Sequence, residues 1–354
     1  MKTLANLNPL RFFLALIVLV YHLRLFSVNQ GLPFLDDFPI LDKGIEAVYM
    51  FFVLSGFLII RIIYKEKASG KFSKKNFYMR RVLRILPLYY LIVFVGFTFY
   101  HIVLPYLGIP FQINYNLTEG LLLSIFLLPN VLNYYDPGGI LGVLWSIGIE
   151  EQFYLFIAPL LFFVKTHHVI KVLVIIFIGY FIIYHLEFFF ILNKYNFVYF
   201  YMIIGGVISI FEEEKKLNFL KEKKIVPVIV TILVVLHFFT NYFKIENEFL
   251  YNLYTSILFS LFVYSISHLN GNVEIKSKIL NYFGKISYGI YMYHVIAINI
   301  VAFVFLKVIG VDYLNETITI ILVHLFTIFL TLILAHFSYK YFEMFFLKLK
   351  EKYR

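Results

Sequence analysis

The side chains of this chain that could do chemistry sit inside, or at the ends of, apolar runs. In "RFFLALIVLVYHL", ten uncharged residues separate Arg11 from His22. On an α-helix that step is eleven rises of ~1.5 Å, or ~16 Å. An arginine at the inner membrane face would then share a helix with a histidine in the outer half of the bilayer. Ionisable groups at that depth are costly and rare, and they are functional by default. Histidine can hold or release a proton near neutral pH. The competing readings are an arginine that snorkels to lipid phosphates and a packed histidine.

Four further stretches carry such groups. In "GVLWSIGIEEQFYLFIAPLL", Glu150 and Glu151 lie deep in an apolar helix, one turn after Trp145 and Ser146. Adjacent helical residues point ~100° apart, so the two carboxylates serve different partners; the alternative is a polar network that bundles helices. In "MRRVLRILPLYY", Arg80, Arg81 and Arg84 share roughly one helix face through three- and four-residue spacings. Arginine forks match phosphate geometry, though basic charge beside anionic lipid reads the same way. In "AVYMFFVLSGFLII", Ser55 and Gly56 leave a small patch. Gly56 suits close helix packing, and Ser55 suits either packing or the lining of a polar cavity. In "ISYGIYMYHVIAI", His294 reads either as a core histidine bonded to a tyrosine or as a further polar lining group. The chain has no cysteine, which excludes disulfides, thiolate metal sites and a cysteine nucleophile, and no histidines are spaced as metal ligands.

The elements that must position these groups are membrane helices. The hydrophobic fraction is 61% and the charged fraction 15%, far from a soluble balance. The net charge of +10 sits in short segments between apolar runs, which is the positive-inside pattern and not a nucleic-acid surface. "RIIYKEKASGKFSKKNFYMRRVLR", "KTHHVIK", "EEEKKLNFLKEKK", "KSKILNYFGK" and the C-terminal tail are expected in the cytoplasm. "NQGLPFLDDFP", "NYNLTEG", "NKYN" and "GVDYLNE" are expected outside. Threading helices through that alternation predicts an all-α, polytopic bundle of about ten spans: 7–27, 44–63, 85–104, 140–164, 172–192, 197–211, 225–243, 249–268, 286–309 and 317–338. Both termini then face the cytoplasm of a bacterial membrane. Residues 117–133 break the parity and read as a re-entrant or interfacial piece. No internal repeat is visible. Residues 1–354 read as one membrane domain with no soluble C-terminal domain.

Taken together these stretches resemble the membrane acyltransferase 3 family. The motifs that carry the resemblance are R-x10-H (Arg11, His22), F-F-x-L-S-G-F-L-I (Phe51 to Ile59), R-x-x-R (Arg81, Arg84), W-S-x-x-x-E-E-Q-F-Y-L (Trp145 to Leu155) and S-Y-x-I-Y-x-x-H (Ser287 to His294). The chain departs from the family pattern at Ala47, Val48 and Tyr49, and at Phe345 in place of a proline. The resemblance implies acyl transfer, most simply of acetyl, from cytoplasmic acyl-CoA to a hydroxyl of an envelope glycan such as O-antigen, capsule or exopolysaccharide. It implies no resident cofactor and no metal. The partners are the acyl-CoA donor, a glycan or lipid-linked saccharide acceptor and membrane lipid. Arg11, Arg81 and Arg84 would hold the phosphorylated donor. His22 would be the general base, and Glu150 or Glu151 would orient it or balance an arginine. Ser55, Trp145, Ser146 and His294 would line the cavity. A glycan transporter or flippase is the alternative that the same buried charges allow.

Overall fold

The computed structural model of the protein describes residues 4, 6–217, 225–267, 275–311 and 315–353, and every regular element among them is helical. In chain order the principal helices are α1 (Leu7–Gln30), α2 (Gly44–Ala68), α3 (Lys74–Thr98), α4 (Leu117–Ile125), α5 (Pro129–Asn133), α6 (Trp145–Phe163) and α7 (Val169–Tyr184). They continue with α8 (Tyr199–Glu213), α9 (Ile225–Phe239), α10 (Glu248–Ser267), α11 (Lys278–Lys285), α12 (Ser287–Phe303), α13 (Glu316–Phe337) and α14 (Met344–Lys350). Among the described residues eight helices are long and apolar enough to cross a membrane; a pair bent by 84°, Glu187–Lys194 with Tyr199–Glu213, would make a ninth. Their outer faces expose Phe94, Phe156, Ile175, Leu325 and Phe329. A helix satisfies its backbone internally, so such faces suit hydrocarbon. The chain is an all-α, polytopic integral membrane protein.

Four expected spans take a different form. The one at 197–211 is the 15-residue helix Tyr199–Glu213, bent by 84° from Glu187–Lys194. The span at 85–104 is the apolar part of a helix that already begins at Lys74, where the Ser73 side chain accepts from Asn76 N–H at 3.3 Å. Lysine and arginine are good helix formers, so the helix runs ahead of the apolar run. The span at 172–192 stops at Tyr184. His185 closes the last turn with its backbone N–H on Ile182 O and its ring Nδ1 on Phe181 O. The span at 225–243 has 15 helical residues, Ile225–Phe239. That is ~22 Å, against ~30 Å of hydrocarbon. Residues 117–133 form two short helices, with Leu127 between them in the left-handed region at φ 61°. The basic residues 218–224 and the outer-loop residues 312–314 lie outside the described residues.

The chain divides into two compact units, and α2 passes from one to the other. The first comprises Met1–Phe51 and Leu217–Phe342. Its core includes Leu23 on α1, Ile298 and Val301 on α12, and Val323 on α13. Nearer the start of α1, Ala15 packs with Ile286, Ile290 and Ala335. Asn6 fixes where α1 begins: its side chain donates to Ile266 O at 3.3 Å and accepts from Ile275 N–H at 2.8 Å. Gly284 of α11 lies against the Asn8 backbone, where a Cβ would collide. α1 ends on Gly31, φ +73°, a residue without the Cβ penalty of that conformation. Arg24 then ties the outgoing loop through Asp36 at 3.2 Å and Asp42 at 2.7 Å.

The second unit comprises Phe52–Lys216 and Glu343–Arg354. Gly56 of α2 lies on the backbone of Met202, and Gly205 of α8 on that of Val53, so the two helices meet backbone to backbone. Arg61 pairs with Glu212 at 3.3 Å and with Glu213 near the same ends. Lys67 donates to Leu161 O at 2.5 Å, to Phe162 O at 2.8 Å and to Val164 O. A cation thus satisfies the open carbonyls at the end of α6.

Candidate functional site

In the first unit, α1 brings His22 to His294 of α12. His22 Nδ1 lies 2.9 Å from Val18 O and 3.2 Å from His294 Nε2. The ring centroids are 4.9 Å apart, and Tyr21 stands edge-on to His22 at 5.1 Å. His294 is buried, and its Nδ1 lies 2.5 Å from Tyr291 O. Among the described residues His22 Nε2 makes no hydrogen bond. Arg11 is half-buried on the same helix, about three turns earlier.

In the second unit, α6 carries both glutamates. Glu151 is 5% exposed, and its Oε1 has no hydrogen-bond partner among the described residues. It is within electrostatic reach of Arg81 and Glu150. Glu150 is half-buried and accepts from Tyr154 O–H at 3.2 Å; the same hydroxyl bonds Ser55 Oγ. So Ser55 on α2, Tyr154 and Glu150 form one polar chain. Trp145 is buried edge-on against Phe52, and Ser146 is buried beside it.

The three arginines at the start of α3 separate by environment. Arg80 makes two bonds to the Glu66 carboxylate, at 2.7 and 2.9 Å, and donates to Tyr353 O at 2.8 Å. Its fork is taken, so it does not share a binding face with the other two. Arg81 Nε is buried without a hydrogen-bond partner, and neither Arg81 nor Arg84 forms an ion pair among the described residues. A buried donor left without a partner costs about 1–3 kcal/mol, and more when charged. Such a group is suited to an incoming acceptor.

Two residues of this region had no chemical reading from the sequence beyond their place in the W-S-x-x-x-E-E-Q-F-Y-L motif. Tyr154 lies four residues after Glu150, a spacing that places both on one helix face. Gln152 donates to Leu127 O at 2.7 Å and to Asn130 Oδ1 at 2.8 Å, and accepts from Tyr199 O–H at 2.8 Å. It anchors the irregular 117–133 stretch to α6. Being uncharged, it gave no sign of unusual cost in an apolar run.

A bundle of apolar helices with ionisable groups at depth defines the class, a membrane protein with chemistry or transport inside it. The family follows from comparison: the acyltransferase domain model of the acyltransferase 3 family matches residues 4–336, and the chain belongs to that family. It is 27% identical over an alignment of 375 positions, gaps included, to the O-acetyltransferase OatA of Staphylococcus aureus, covering 97% of this chain and 57% of that protein. It is 32% identical over 192 residues to the peptidoglycan O-acetyltransferase OatA of Listeria monocytogenes, covering 50% of this chain and 27% of that protein. To the putative peptidoglycan O-acetyltransferase YrhL of Bacillus subtilis it is 30% identical over 164 residues, or 44% and 23% of the two chains. The aligned stretches thus span between about a quarter and just over half the length of these relatives. No solved structure matches.

Proposed function

We propose that the protein transfers an acetyl group from cytoplasmic acetyl-CoA to a hydroxyl of an envelope glycan. The observation that carries this reading is His22: an intramembrane imidazole held through Nδ1, with Nε2 unengaged among the described residues. Membership of the acyltransferase family supports the reaction class. Relatives named for peptidoglycan O-acetylation make a peptidoglycan sugar the first acceptor to test.

In this reading His22 Nε2 removes the proton from the acceptor hydroxyl as its oxygen attacks the thioester carbonyl. The tetrahedral intermediate collapses with loss of the CoA thiolate, which takes the proton back from the imidazolium. The products are the acetyl ester and CoA-SH. Arg81 and Arg84 bind donor phosphates from the cytoplasm, and Arg11 does so near the inner face. The loop around Lys71 and both termini lie in the cytoplasm, as the charge bias requires.

The test is CoA release and ester formation by the protein in nanodiscs, with acetyl-CoA and a muropeptide acceptor. His22→Gln keeps size and polarity and should lower transfer by about 10²–10⁴-fold. Near-normal ester formation by His22→Gln would remove the base role. A wild-type protein that moves glycan across vesicles without cleaving the thioester would make it a transporter.

A further inference from the structure

The His22–His294 contact spans 272 residues of sequence and carries more information than proximity. A carbonyl oxygen only accepts. His294 Nδ1, at 2.5 Å from Tyr291 O, must therefore carry the ring proton. In a neutral imidazole one nitrogen donates and the other accepts, so His294 Nε2 is an acceptor. It faces His22 Nδ1 at 3.2 Å, which must then be N–H. Val18 O, at 2.9 Å from the same nitrogen, makes the same demand from the other side. Both constraints leave the lone pair of neutral His22 on Nε2, the nitrogen that has no hydrogen bond among the described residues.

The bond to a carbonyl one turn back does not by itself distinguish His22. His185 and His324 make the same contact, each at 2.8 Å, to Phe181 O and Ile320 O. What His22 has in addition is a second imidazole, buried and itself locked by a carbonyl.

We propose that His294 is a positioning residue: it holds His22 in the Nδ1–H form, so that Nε2 is the basic atom, and it stabilises the imidazolium formed in the transfer step. This rests on His22 being the base of the proposed reaction. When His22 Nε2 takes the hydroxyl proton, its Nδ1–H points at a neutral nitrogen acceptor, and the new positive charge is shared along that bond. His294 keeps its own proton on Tyr291 O. When the CoA thiolate recovers the proton, the pair returns to its starting form with no net change. A histidine base in the wrong tautomer can lose about 10⁴ in rate.

The experiment combines a direct reading of the tautomer with kinetics. Protein in nanodiscs is labelled with ¹⁵N-histidine, and the His22 signals are assigned by difference from His22→Gln. In the wild type, His22 should show a protonated-type Nδ1 and an unprotonated-type Nε2. His294→Phe keeps ring volume but has neither nitrogen; it should mix the two His22 tautomers and lower kcat by about 10²-fold or more, with KM for acetyl-CoA changed little. His294→Gln keeps a donor and an acceptor and should recover at least about tenfold over the phenylalanine variant. A wild-type His22 protonated on Nε2 would overturn the proposal. So would wild-type kcat in His294→Phe while His22→Gln is inactive. If His22→Gln itself stays active, the base reading fails, and the nitrogen signals still decide whether His294 sets the tautomer.

Discussion

His22 and His294 in the first unit commit three of their four ring nitrogens to each other and to carbonyls. In the second unit Arg81 and Glu151 bury Nε and Oε1 with no hydrogen-bond partner among the described residues. The first arrangement is already organised without a ligand, and a group so held can move a proton without reorganising. The second is incomplete without one. Under the proposed function this difference is a division of labour, with proton transfer from the histidine pair and recognition of an anionic donor by the arginines. Arg80 sharpens the contrast from within the second unit. It neighbours Arg81 in sequence, yet its fork is filled by Glu66 and Tyr353 O.

That contrast can be broken most forcefully at the arginines. Arg81→Ala and Arg84→Ala should each weaken acetyl-CoA binding by about ten- to a hundredfold, since a charge-assisted phosphate contact is worth roughly 1.5–3 kcal/mol. Calorimetric titration in nanodiscs checks this. Arg81→Lys should recover only part, because it keeps the charge and loses the fork. Arg80→Ala should behave oppositely: donor affinity near wild type, and thermal stability in detergent lower by about 1–3 kcal/mol through loss of the Glu66 bonds. Equal losses of affinity in all three variants would mean that a general basic surface, and not an incomplete site, attracts the donor.

Gln152→Leu comes next in size. It removes three hydrogen bonds and strands Tyr199 O–H and Asn130, so stability should fall by about 1–3 kcal/mol. Proteolysis should then begin within 117–133, the stretch that Gln152 anchors. Unchanged protection there would show that other contacts hold it. The smallest effect is expected from Tyr154→Phe, which removes the hydroxyl between Ser55 and Glu150. Its cost should be about 0.5–1.5 kcal/mol in the same thermal assay. A loss of acetyl transfer far beyond that would give Tyr154 a part in the chemistry.

Hydropathy made the bundle legible, because a helix in lipid must be apolar. It was poorer at helix ends. The apolar run beginning near Ile85 marks where hydrocarbon begins, whereas α3 starts at Lys74 because Ser73 caps it. His22, Glu151 and Arg81 stood out because charge is expensive in an apolar run. Gln152 and Tyr154 carry no charge and were marked only by their place in the family motif. Nor does local spacing distinguish Arg80 from Arg81 or join His22 to His294. Those distinctions arise from tertiary partners: Glu66 for one arginine, and a helix 272 residues away for the histidine.

Steady-state kinetics in acetyl-CoA at saturating acceptor test the separation of base from donor recognition most directly. His22→Gln should lower kcat by about 10²–10⁴-fold with KM for acetyl-CoA near wild type. Arg81→Ala should raise that KM by about ten- to a hundredfold with kcat largely kept. If His22→Gln instead raises KM and keeps kcat, or Arg81→Ala lowers kcat and keeps KM, the assignment of the two roles is wrong.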